Sequence, residues 1–175
     1  MSPTNNRDVA MTSHMVAVAS YLDAARAVPD SAWERRMRDE KWSPAQVSEH
    51  LRLTYTQVQN ELAGGSGLRI RSSWWLRTLL RWRMLPRILS RGQLPEGAKA
   101  PREIRPGNGP FDREVVLEAL QVAARATQDA IARGWDDPNR VMTHHVFGRL
   151  ALPTAMRFLT VHTEHHARQL RAVPG

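Results

Sequence analysis

Apolar residues recur at three- and four-residue intervals in four stretches of the chain, and each stretch predicts one amphipathic helix. The first carries Met11, Met15, Val18, Leu22 and Ala25 along one stripe and ends at Pro29, predicting a helix over 8–28. The second opens on Ser43-Pro44-Ala45-Gln46, with serine as the N-cap, proline at the first helical position and glutamine where a capping box needs it. It carries Val47, Leu51, Thr54 and Val58 inward over 43–62 and stops near Gly64-Gly65. After a turn at Gly107-Asn108-Gly109-Pro110, Asp112 can cap a third helix over 112–133, with Val116, Leu120, Ala123, Thr127 and Ile131 on one face and Gly134 closing it. The fourth enters at Pro153 and runs over 153–172, with Met156, Leu159, His162, His166, Leu170 and Val173 on one side. Residues 135–152 read as a loop, and no stretch carries a convincing strand alternation. The pattern predicts an all-α chain, an antiparallel four-helix bundle formed as a single domain over 1–175.

The connection between the second and third helices is too long for a bundle loop, so residues 64–110 read as an insertion. Residues 72–90 are helical in character but hold Trp74, Trp75, Trp82 and seven further large apolar residues around the axis, with no clean polar face. Pro86 kinks or ends this helix. Residues 95–106, rich in proline and glycine, predict an extended run across the bundle surface. So much apolar surface exceeds what a free face usually exposes, which predicts packing on the bundle or on a second copy, hence a homodimer.

Charge changes the picture of this segment more than of any other. The chain of 175 residues has a formal net charge of +8. Ten basic residues, among them Arg69, Arg71, Arg77, Arg81 and Arg105, lie between Gly64 and Pro110 against two acids, Glu96 and Glu103, so the remainder is neutral. One function class that follows is a non-catalytic binding module whose Trp/Arg-rich insertion contacts nucleic acid, anionic lipid or a protein partner. The other places the insertion at the border of a small-molecule site, with Arg77 and Arg81 as contacts for an anionic substrate. Cysteine is absent. Disulfides, thiolate ligands and cysteine nucleophiles are thereby excluded, and a reducing, cytoplasmic setting is expected. No apolar run reaches the roughly 18 residues a membrane-spanning helix needs. The apolar stretch from Met15 to Leu22 keeps helical spacing and is approached by Asp8 and His14, which argues against a signal peptide.

The candidate chemistry is histidine chemistry. His162 and His166 differ by about 40° around a helix and stand one turn apart, so both imidazoles can reach one ion. His165, about 60° from His162 on the other side, makes an alternative pair with it, and spacing alone leaves both open. His50, on the edge of the second helix's inward stripe, is the third candidate ligand. Three neutral imidazoles suit zinc, nickel or iron. Gln169 falls about 20° from His162 and can orient a ligand or make a helix-terminal hydrogen bond. Protease, serine-triad and phosphate-loop motifs are not supported by the spacing of Glu164, the serines or Gly64 to Gly67.

The segment His162-Thr163-Glu164-His165-His166-Ala167-Arg168-Gln169 resembles the terminal-helix motif of the DinB/YfiT-like superfamily, His-x-x-His-His-x-x-Gln, and Trp42-Ser43-Pro44 followed by His50 resembles its second-helix motif. The stretch from Lys99 to Pro101 and the His144-His145-Val146-Phe147-Gly148 loop are also similar, so the resemblance spans most of the chain. One departure is Ala167-Arg168, where many members carry Arg-Gly. The resemblance implies His50, His162 and His166 as ligands of one divalent metal ion. It also implies a metal-dependent enzyme of a family that includes thiol S-transferases and a thiol-dependent isomerase; a divalent ion on three neutral imidazoles suits either transfer with a low-molecular-weight thiol or hydrolysis.

Overall fold

The computed structural model describes residues 3–38, 41–70, 72–95 and 99–174, without the side chains of 3–5; Arg71 and Glu96 of the basic connection lie outside the described residues. In chain order, α1 (Pro3–Arg26) leads through the single turn α2 (Asp30–Trp33) to α3 (Pro44–Leu62). Two short helices follow, α4 (Trp74–Arg83) and α5 (Leu85–Arg91), then a 3-10 turn (Arg102–Ile104) and α6 (Arg113–Arg133). A hairpin of β1 (Val141–His144) and β2 (Gly148–Ala151) precedes α7 (Leu152–Arg171). The fold is mostly helical: α1 lies along α7 and α3 along α6, with further contacts of α6 to α1 and α7 and of α3 to α7.

The helix starts follow their capping chemistry. The Ser43 hydroxyl accepts from the Gln46 backbone N–H at 3.2 Å while the Gln46 side chain accepts from the Ser43 N–H at 3.1 Å, closing the predicted capping box of α3. Asp112 accepts from the Val115 N–H at 3.0 Å and starts α6. In α1 the buried face is rotated from the expected stripe. Met15 is 61% exposed, whereas His14 and Tyr21 are fully buried with Ala17, Val18 and Leu22. The polar tips of these two residues make their burial affordable. His14 bonds Gln128 through Nδ1 at 2.8 Å and the Tyr55 hydroxyl through Nε2 at 2.9 Å, and the Tyr21 hydroxyl meets Ser48 Oγ at 2.7 Å.

Two further differences from the sequence expectation matter for function. Residues 135–152 are not simply a loop, because β1 and β2 pair antiparallel with Met142 opposite Leu150, both buried, at the foot of α7. The connection also buries less than expected. Leu85 and Ile88 of α5 join the core and Leu80, Met84 and Leu89 pack against it, but no residue of α4 is buried. Pro86 sits in the first turn of α5, where its missing N–H costs nothing, and the break between helices falls at Met84. The 3-10 turn is held from below, with Ile104 buried.

Candidate metal centre

His50 projects from the middle of α3, where Leu51 and Val47 point into the core and Thr54 donates its hydroxyl to the His50 carbonyl at 2.8 Å. His162 and His166 project from α7 in a buried stripe with Phe158, Leu159 and Leu170. All three imidazoles are at least nine-tenths buried, and their candidate ligand nitrogens lie within 4.8 Å of one another. His162 Nε2 stands 3.0 Å from His166 Nε2 and 3.3 Å from His50 Nε2. Three nitrogens held at zinc-ligand distance by one tetrahedral ion would stand roughly 3.3 Å apart.

The outer ring nitrogens decide which way the lone pairs point. His50 Nδ1–H donates to the Ile104 carbonyl at 2.7 Å, and His166 Nδ1–H donates to Gln169 Oε1 at 2.7 Å. With Nδ1 protonated, Nε2 of each neutral ring presents a lone pair toward His162. His162 Nδ1 is buried with no hydrogen-bond partner among the described residues. A single proton on His162 Nε2 can satisfy one neighbour but not both, and with the three rings neutral their converging Nε2 atoms are a donor set that suits a divalent cation.

Burial also fixes the protonation state. It pushes His50 down to about 4, against a smaller upward pull from the Ile104 carbonyl. Burial holds His162 and His166 well below the ordinary imidazole range, and the neighbouring histidines push in the same direction. Rings kept neutral at physiological pH are in the form that binds metal.

Around the cluster the walls are aromatic. Trp42 lies over His50 with centroids 4.9 Å apart, and Phe158 stacks toward His162 at 6.1 Å. The hairpin adds His144, whose ring packs on Phe147 at 4.7 Å and edge-on to Phe158 at 4.8 Å. His144 Nδ1 accepts from the Val146 and Phe147 N–H groups at 3.1 and 3.2 Å, so it closes the hairpin turn. Burial, and then the charge of His145, push it down to about 3.

The other sequence candidates fall outside the cluster. His165 Nε2 accepts from Gln169 Nε2 at 2.9 Å, so Gln169 bridges His166 and His165 and fixes the His166 ring. Arg81 donates to the Arg149 carbonyl at 2.9 Å, and the stem of Arg77 lies over Gly148 so closely that a Cβ there would meet Arg77 Cδ at 2.6 Å. Both arginines are therefore engaged with β2. Sequence reasoning missed the Ile104 carbonyl, a backbone acceptor supplied from 54 residues away, for which side-chain pattern carries no signal. It also missed the buried hydroxyl chain beside the cluster, in which Tyr55 meets both His14 and Thr163, the latter at 2.6 Å.

Among known proteins, the family model described as the DinB superfamily matches residues 17–170, a span that contains all three clustered histidines and the whole connection between α3 and α6. No curated protein and no solved structure matches the chain.

Proposed function

The chain belongs to the DinB superfamily, and from that premise we propose that it is a metal-dependent enzyme with one divalent ion held by His50, His162 and His166. The observation that carries this reading is the convergence of three buried Nε2 atoms from two helices, two of them forced to face inward by acceptors on their Nδ1 atoms. The His162 ring stands between the other two, and its Nδ1 has no hydrogen-bond partner among the described residues, so it is not fixed from outside as those of His50 and His166 are.

The reaction class we assign is transfer to a low-molecular-weight thiol, or hydrolysis, on a small substrate. An ion on three neutral imidazoles keeps its full double positive charge, and when bound it supplies Lewis-acid activation of a thiol or water nucleophile. The chain's own contribution is positioning and exclusion of water. Ile104 and Gln169 hold the imidazole planes, while Trp42 and Phe158 wall the cluster with apolar surface. No protein cysteine is required, in keeping with the absence of cysteine from the chain. Zinc, nickel and iron all accept such ligands. The scaffold we infer is a single-domain antiparallel four-helix bundle of α1, α3, α6 and α7, with residues 64–110 inserted between α3 and α6.

The test is to reconstitute protein purified without a histidine tag with each metal in turn, and to screen thiol-dependent transfer and hydrolysis against the His162→Ala variant. Activity that requires metal and His162 supports the assignment. Activity equal in parent and variant contradicts it.

A further inference from the structure

Among the described residues the two most exposed large apolar side chains, Trp82 and Trp74, both lie on α4, and Trp75 and Leu79 of the same helix are exposed beside them. Trp74 is 73% exposed, Trp75 58%, Leu79 48% and Trp82 76%. At about 100° per residue these four fall within one arc of roughly 140°, running from Trp74 through Trp82 and Trp75 to Leu79. The opposite side carries Leu76 and Leu80, both half-buried, and Leu80 packs against the core. The outward face is therefore not a frayed core. It is a second apolar stripe on a helix whose first stripe is already in use.

Arginines mark both edges of that arc. Arg77 and Arg81 lie on the edge nearer Trp74, where the Arg81 guanidinium reaches the Arg149 carbonyl and the Arg77 stem crosses Gly148. Arg83 lies on the other edge, beyond Leu79, and is exposed, as is Arg87 at the start of α5. Ser72 tethers the approach to α4 by donating to the Val146 carbonyl at 3.1 Å, and Arg168 of α7 donates to the Gly92 carbonyl just beyond α5. The helix is thus held against hairpin and bundle with its tryptophans outward.

We propose that this face of α4 docks on the surface of an anionic lipid bilayer. Indole rings prefer the boundary between headgroups and acyl chains, and a helix with Trp and Leu on one side and Arg at its edges lies in that plane. Ten residues make a helix of about 15 Å, which lies in the interface and does not cross it; no described helix is long and apolar enough to cross a membrane. Charge selects the occupant. The surplus of +8 is carried by the connection that contains this helix, so two copies meeting here would bring like charges together, whereas an anionic surface complements them. A nucleic acid is less well matched. Leu79 stands beside the indoles at the end of the arc, where it adds nothing to base stacking but inserts well among acyl chains.

The test uses the full chain with vesicles of phosphatidylcholine alone and of an equimolar mixture with phosphatidylglycerol, and no readout depends on metal. The face predicts partitioning stronger on the anionic vesicles by at least about tenfold, weakening as salt rises. It also predicts a blue shift of tryptophan emission and quenching by brominated acyl chains. The double variant Trp74→Ser with Trp82→Ser should lose the shift and most of the binding. Arg83→Gln with Arg87→Gln should weaken partitioning by about tenfold. All four side chains are exposed, so both variants should keep the parent's circular dichroism. Equal partitioning on the two vesicles overturns the proposal, as does sedimentation with anionic vesicles without a change in emission. Self-association removed by the tryptophan variant would assign the face to a second copy, and tighter retention of a single-stranded oligonucleotide at the same salt would assign it to nucleic acid.

Discussion

At the scale of single residues, the three histidines differ from ordinary buried histidines in how their polar atoms are disposed. His14 shows the ordinary case: both its ring nitrogens meet protein partners, Gln128 and Tyr55. His50, His162 and His166 instead aim Nε2 at one another. Replacing any of the three by alanine should abolish stoichiometric metal binding, because two imidazoles hold a divalent ion far less well than three. His165→Ala should keep the metal. Gln169→Leu frees the His166 ring without removing a ligand and should weaken metal affinity by about 10–100-fold, measured by competition with a chelator. The pairing of His162 with His166 was legible as one of two options at helical spacing and was the one the family resemblance implied; the structure adds that the His165 ring is held by Gln169. Protonation offers an independent check on metal-free protein. A histidine whose pKa is lower folded than unfolded binds fewer protons in the native state, so its stabilisation is complete above about 6.5 and is lost as pH falls. For His50 that loss extends down to about 4 and for His144 to about 3. The slope is about 1.4 kcal/mol per pH unit for each such histidine. Urea midpoints should therefore fall clearly between neutral pH and about pH 5. A midpoint unchanged over that window would mean these rings are not held neutral.

At the scale of elements, legibility followed length and capping. The helices read over 43–62 and 112–133 match Pro44–Leu62 and Arg113–Arg133 closely, because Ser43 and Asp112 announce their starts and Gly64 and Gly134 their ends. The hairpin was not legible. Four-residue strands offer too few inward positions, here Met142 on one and Gly148 and Leu150 on the other, to stand out from a loop. The α4 helix was legible as a helix but not in its orientation, since Leu76 and Leu80 compete with the tryptophans for the core side and only packing decides. The hairpin positions the His144 ring and receives α4, so its geometry should be sensitive at Gly148. That residue has φ +71°, and an added Cβ would meet Arg77 Cδ at 2.6 Å. Gly148→Ala should cost about 1–2 kcal/mol through its left-handed backbone. Gly107→Ala, with nothing within 4 Å of the new Cβ, is the control and should stay within about 0.5 kcal/mol. Equal denaturation curves for the two would contradict this account of the turn.

At the scale of the whole molecule, the histidine cluster ties together segments that are remote in sequence. It joins α3 to α7, and through the Ile104 carbonyl it fixes the 3-10 turn at the end of the connection. An ion bound there by the folded chain alone should stabilise it by mass action, about 2.7 kcal/mol at a hundredfold excess over Kd. The core does not depend on the ion, since residues such as Tyr21, Leu51, Leu117, Leu120 and Leu159 are fully buried without it. Metal-free protein should accordingly fold and melt cooperatively at a lower temperature. The composition of the chain excluded thiolate ligands, while its concentrated positive charge did not reveal that Arg81 would reach the Arg149 carbonyl or that the Arg77 stem would lie over Gly148. The most direct measurement is calorimetric titration of tag-free, metal-free protein with zinc, nickel and ferrous iron in turn. Saturable binding of one ion per chain by at least one of these metals, absent from His162→Ala, is the predicted result, and the absence of saturable binding by all three would contradict the metal centre.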